Sequence, residues 1–230
     1  MSSQRFARPT EVPGLAPPRL AADILDGVLH NQRTLADQPD GVGAHPGLQM
    51  PAGGARAVLG GHRVRALAAR HRRHFRREDA FVVATHELDE DAPDHFSDQP
   101  DYIKSWPPHG VKGTPGAVLC TPISNLVREK IIGAVLDKGR HAAAYSAFEA
   151  QDLRGHLLVD VLREQRVDHI DICGLITEYT ILATALDARK HEFQVRVLVN
   201  LCGAASPEAG QRAFDDMNAA GCQLMAASAP

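Results

Sequence analysis

A mainly parallel sheet with helices on both faces, a three-layer α-β-α architecture, is the fold class this sequence predicts. Three observations carry it. Short apolar runs of strand type alternate with helix-type segments of roughly ten to twenty residues, the signature of right-handed βαβ units. Apolar residues make up 44% of the 230, enough for one sizeable core. The polar residues of chemical interest gather just after the strand-type runs, where such sheets bind ligands.

In chain order, residues 1–19 are rich in Pro, Ser and Ala without periodicity. They read as a flexible extension ahead of one domain over residues 20–230. Residues 20–30 are apolar but interrupted by Asp23 and Asp26, and residues 31–54 are loop-like. The spacing of Val64, Leu67, Ala68 and Phe75 predicts a helix over residues 55–75. Residues 80–85 (AFVVAT) follow as a short buried strand, then a long polar loop. Residues 131–136 make the next strand, 153–165 a helix, 169–174 a strand, 178–191 a helix and 193–200 a strand. Ser206-Pro207-Glu208 is a start signal for a helix over residues 206–220. Residues 223–226 suit a last edge strand.

Charge and cysteines narrow the function. A net charge of −3 gives no general attraction to nucleic acid. The seven arginines of residues 61–77 form a basic stretch. It reads as a solvated helix face, or as a surface for an acidic partner. With the extension, it offers a place for a protein partner or a second copy of the chain. Cys120, Cys173, Cys202 and Cys222 have no CxxC or other zinc-type spacing. No signal peptide or membrane span is visible, so a cytoplasmic setting is the expectation.

Glu87, Asp89, His95 and His109 are of metal-ligand type and lie around an aromatic, proline-rich loop. Oxygen and imidazole donors together suit Zn, Mn or Fe(II). Glu87 and Asp89 are two apart and point the same way on an extended segment. The bland alternative is an acidic surface loop, since ELDEDAPD holds five carboxylates in eight residues.

The runs DHFSDQPDY and SWPPHGVKGTPG resemble the metal-binding segment of the nicotinamidase/pyrazinamidase branch of the isochorismatase-like hydrolases. The resemblance covers residues 48–225. It implies that family's fold, one divalent metal (Mn, Fe or Zn), and hydrolysis of a small cyclic amide or related metabolite. Two ligand positions stand as in the family, His95 and His109. Two differ in kind: Glu87 where the family has aspartate, and Asp89 where it has histidine. The added negative charge should favour the harder Mn(II) or Fe(II) over Zn.

The resemblance also implies roles for three further residues. Lys138 stands where the family has a lysine that assists the nucleophile. Thr180, in GLITEYT, stands where the family has its nucleophilic cysteine at a helix N-terminus. A threonine hydroxyl is much harder to ionise than a thiol, so a cap or packing role competes with a nucleophilic one. The family's N-terminal acid falls on Asp26 or on Asp23. The pocket would be lined by Trp106, Tyr145 and Phe148, with Ile176 and Tyr179 of the turn. Two functional expectations follow: a metal-assisted hydrolase that works without a thiolate, and a pseudoenzyme that keeps the pocket as a small-molecule-binding or partner subunit.

Overall fold

The computed structural model describes residues 66, 68–70, 81–90, 95–100 and 105–227, and residues 20–27 as backbone. Six strands form one sheet in the order β3-β2-β1-β4-β5-β6, and every pairing is parallel. They are β1 (Leu20–Gly27), β2 (Phe81–Glu87), β3 (Ala134–Lys138), β4 (Val167–Leu175), β5 (Gln194–Gly203) and β6 (Gln223–Met225). From β2 to β6 successive strands are joined by α1 (Thr121–Arg128), α2 (Leu158–Glu164), α3 (Leu182–Lys190) and α4 (Pro207–Ala219). The chain order along the sheet reverses at β1, so the crevice between the ends of β1 and β4 is the topological switch point.

Strand alternation divides the core into two layers. Val83, Leu136, Ile170, Ile172, Val195 and Val197 face the apolar sides of α2, α3 and α4. Val82, Ala84 and Cys173 face Ile123 and Leu126 of α1, together with Ala68 and Ala69. The expected three layers are therefore present. Of the predicted helix 55–75, only residues 66 and 68–70 are among those described, and they are helical. The extension 1–19 lies outside the described residues.

Three elements differ from expectation, each for a local reason. Helix α1 was not anticipated, although Thr121-Pro122 starts it and Ile123, Leu126 and Val127 follow at helical spacing. β3 begins at Ala134 rather than at 131. Ile132 is instead a buried core residue ahead of the strand, and Gly133 N–H bonds the Val82 carbonyl. α2 begins at Leu158 rather than at 153. Asp152 Oδ1 accepts from the N–H groups of Arg154 and His156, closing a turn that leaves Leu153 exposed.

Candidate active site and metal centre

The carboxyl end of β2 carries Glu87, and the carboxyl end of β3 carries Lys138 in register beside it. The chain leaving β2 is stitched to the chain leaving β3. Leu88 N–H donates to the Lys138 carbonyl at 2.9 Å, and Glu90 N–H donates to the Arg140 carbonyl at 3.0 Å. The same segment is held on its other side by Val111–Lys112. Asp89 N–H donates to the Gly110 carbonyl at 2.9 Å, and Lys112 N–H donates to the Asp89 carbonyl at 2.8 Å. Trp106 N–H to the His95 carbonyl and Ser97 N–H to the Trp106 carbonyl then bring the two histidine-bearing runs together. Backbone pairing thus assembles the cluster before any side chain acts.

Asp89, His95 and His109 each present a ligand-type atom, and these atoms lie within 4.8 Å of one another. The rings of His95 and His109 meet edge-on with centroids 5.3 Å apart. His109 Nδ1 lies 2.8 Å from the Pro107 carbonyl. A carbonyl only accepts, so Nδ1 carries a proton and Nε2 is the ring atom turned to the cluster. That Nε2 is 3.6 Å from Glu87 Oε2, and His95 Nε2 is 4.0 Å from Asp89 Oδ1. Glu87 therefore flanks the cluster through His109 rather than completing the tightest group.

Asp89 is the strongest evidence that the cluster suits a cation. It is 2% exposed, and neither carboxylate oxygen has a hydrogen-bond partner. A buried carboxylate in that state is costly unless something positive meets it. Burial first, and the neighbouring Glu87 charge second, push its pKa up to about 7, against the pull of Lys138. Its carboxylate sits between two glycines in the left-handed region. A Cβ on Gly139 (φ +85) would stand 3.0 Å from Asp89 Oδ1, and one on Gly110 (φ +60) 3.1 Å from Oδ2. Two histidines with one or two carboxylates are a donor set for a divalent first-row ion.

Lys138 leads from this cluster to the turn after β4. It is 1% exposed, and its ammonium donates to the Tyr145 carbonyl at 3.1 Å and to Thr180 Oγ1 at 3.4 Å. Thr180 is buried in a wide helical turn, Thr177–Ile181, where Ile181 N–H reaches back five residues to the Ile176 carbonyl. Such π-type turns recur at functional sites. α3 continues from it, so Thr180 stands at a helix N-terminal end.

The aromatic wall is Trp106, Tyr145 and Tyr179. Trp106 Nε1–H donates to the Tyr145 hydroxyl at 3.2 Å. Tyr179 stacks on Tyr145 with centroids 6.2 Å apart and meets Trp106 edge-on at 5.6 Å. Ile176 packs with Tyr179. Phe148 does not join this group. It belongs to the core, stacked on His191 at 5.0 Å and beside Phe193, because its short 3₁₀ turn points it under the sheet.

The two candidates for the N-terminal acid differ in their position along β1. Asp26 is in register with Thr85 and Gly174, next to the end of β1. Asp23 is in register with Val82 and Asp171, three residues back, or about 10 Å from that level. Position at the rim therefore distinguishes Asp26 from Asp23.

The sequence reading overlooked Gly110 and Gly139, whose lack of a side chain makes room for Asp89. The only signal was their place directly after His109 and Lys138. It also overlooked His86 and Asp137, which pair behind the site at 2.7 Å.

With this geometry in hand, comparison with known proteins gives consistent results. The isochorismatase domain family matches residues 52–229. The nicotinamidase/pyrazinamidase of Mycobacterium tuberculosis is 38% identical over 179 residues, 76% of this chain and 92% of that protein. The nicotinamidase of Escherichia coli is 35% identical over 124 residues, 52% of this chain and 56% of that protein. Among solved structures, the Pyrococcus horikoshii pyrazinamidase in complex with zinc superposes with a TM-score of 0.65 at 29% identity, covering 90% of this chain and 98% of that one. The yeast nicotinamidase, at 20% identity, shares the fold with a TM-score of 0.71 over 90% of this chain and 99% of that one. No helix among the described residues is long and apolar enough to cross a membrane. The chain belongs to the isochorismatase-like superfamily of hydrolases, with the nicotinamidases and pyrazinamidases as its relatives.

Proposed function

We propose that this chain is a metal-assisted hydrolase of a small cyclic amide or related metabolite that works without a cysteine nucleophile. The observation that carries this reading is the Asp89–His95–His109 cluster, with the buried, orphaned Asp89 carboxylate at its centre. Asp89, His95 and His109, flanked by Glu87, would hold the ion, and the acidic donors favour Mn(II) or Fe(II) over Zn. A divalent ion there would supply Lewis acidity toward the substrate and a more acidic water. Lys138 would hold its ammonium against charge developing on the substrate's carbonyl oxygen, since it already points at Thr180 from a buried position. Trp106, Tyr145 and Tyr179 would clamp a planar ring. Asp26, beside the end of β1, is the acid assigned to proton transfer. The relatives supply the substrate class: they are nicotinamidases and pyrazinamidases.

Thr180 supports a second reading. Its oxygen accepts a hydrogen bond from an ammonium, which lowers its nucleophilicity. A chain with that turn and an intact aromatic wall would bind the ring without turning it over. One experiment separates the readings. The purified protein is analysed for metal, loaded with Mn(II), Fe(II) or Zn(II), and assayed for hydrolysis of nicotinamide and pyrazinamide before and after iodoacetamide. Metal-dependent, iodoacetamide-insensitive turnover supports the hydrolase. Stoichiometric metal with nicotinate binding and no turnover supports the binding subunit. Turnover abolished by iodoacetamide sinks both.

A further inference from the structure

The face of β2 and β3 turned away from the site carries a second buried polar group. His86 and Asp137 are in register, one residue before Glu87 and Lys138. Strand alternation therefore sets the two pairs on opposite faces of the same two strands. His86 Nε2 lies 2.7 Å from Asp137 Oδ1, and Arg140 donates to Asp137 Oδ2 at 2.8 Å. Both Asp137 oxygens are engaged, and its backbone is fixed by paired bonds to Gln151 at 2.8 and 2.9 Å. His86 and Asp137 are each 8% exposed.

Stability alone does not account for this chain. His86 Nδ1 and Arg140 Nε are buried without a hydrogen-bond partner. Each such group costs free energy that an apolar side chain would not. The benefit is geometric. Asp137 ties the last turn of β2, through His86, to the segment after β3, through Arg140. The same two segments are tied on the backbone by Leu88 N–H to the Lys138 carbonyl and Glu90 N–H to the Arg140 carbonyl. Between these ties stand Glu87, Asp89 and Lys138.

We propose that the His86–Asp137–Arg140 chain is a positioning device that fixes, from the far face of β2 and β3, where Glu87 and Asp89 stand relative to Lys138. Its effect on metal binding rests on the metal reading given above. Its effect on the two strand ends does not.

The test measures hydrogen exchange at the Leu88 and Glu90 amides, and Mn(II) binding by calorimetry, in wild type, His86→Phe, Asp137→Leu and His86→Gln. His86→Phe and Asp137→Leu should speed exchange at Leu88 and Glu90 about tenfold while the amides of β5 and α4 keep their rates, because the opening is local. Mn(II) affinity should fall about tenfold, the lower end of what losing an outer-shell partner costs. His86→Gln keeps an N–H donor for Asp137 and should stay near wild type, which a purely space-filling role does not predict. Unchanged exchange at Leu88 and Glu90 overturns the proposal. So does a rise spread evenly over the molecule, which would make the chain a general stabiliser. If wild type binds none of Mn(II), Fe(II) and Zn(II), the metal reading falls, and exchange at the two amides still decides the positioning role.

Discussion

The loop cluster after β2 and the turn after β4 face each other across Lys138, and they differ in kind. In the loop, every position of interest carries a side chain able to ligate, and one of them, Asp89, is left with both oxygens orphaned. In the turn, Thr180 is already satisfied by the Lys138 ammonium. The first region holds a carboxylate whose acceptor capacity is unused within the protein, while the Thr180 hydroxyl oxygen of the second is already engaged. Backbone pairing assembles both. The chemistry available to each is then decided by single side chains on a shared frame.

The strongest way to break this comparison is to remove donors from the loop. His95→Ala and His109→Ala should each lower Mn(II) affinity by more than about 100-fold, beyond the range expected of outer-shell partners. Calorimetry and metal analysis read this directly, and stoichiometric metal in the double variant would end the assignment. The turn is sharpened from the opposite direction. In Thr180→Cys, a thiol at a helix N-terminal end beside an ammonium should have a depressed pKa and alkylate about tenfold faster near neutral pH than a free cysteine. It should also give measurable nicotinamide hydrolysis if Asp26 and Lys138 are aligned with it. A thiol titrating near its usual value of about 8.5 would mean that neither the helix end nor Lys138 acts on it, while a depressed thiol with no turnover would mean that the N-terminal acid is missing. Wild type should be indifferent to iodoacetamide, and burial of Cys202, whose thiol is pushed up to about 12, works in that direction.

A smaller effect concerns pH. Asp89 has a folded-state pKa raised from 3.8 to about 7. The folded state therefore holds this proton more tightly than the unfolded state. Metal-free stability should fall as pH rises from about 4 to about 7 and level off above that. The whole change is at most a few kcal/mol. Asp89→Asn should flatten this part of the profile in urea unfolding followed across pH. With Mn(II) present the sign reverses, because the ion displaces the proton and binds more tightly as pH rises through about 7. The smallest expected change is Gly139→Ala. It leaves every donor in place, yet should cost about 1–3 kcal/mol of stability through its left-handed backbone. Mn(II) affinity should fall with it, and a variant with wild-type affinity would show that the carboxylate has room to move.

Much of this was legible in the sequence because it is local. The strand–helix alternation, the edge strand β6 and the start of α4 at Ser206-Pro207 follow from short-range patterns. The donor loop was legible because its runs resemble a known family. What the sequence concealed depends on pairs distant along the chain. His86 and Asp137 meet only through the parallel register of β2 and β3, which no local signal encodes. Phe148 is a wall residue only on the family resemblance; in the structure it packs in the core against His191 and Phe193. Helix α1 is hard to see in the sequence because three apolar residues and a proline in eight give a weak pattern until Ala68 and Ala69 are seen packed against it.

The two left-handed glycines on either side of Asp89 give the pocket a property that no inventory of reactive groups contains. A methyl group added at either position would meet a carboxylate oxygen at about the distance of a hydrogen bond while offering none. Two positions with no functional group at all are therefore constrained by the site. A saturation scan of this chain should show Gly110 and Gly139 as restricted positions, though less so than the histidines. A search for altered ligand specificity would do better to vary Tyr179 and Ile176, where the wall is built from side chains rather than from their omission.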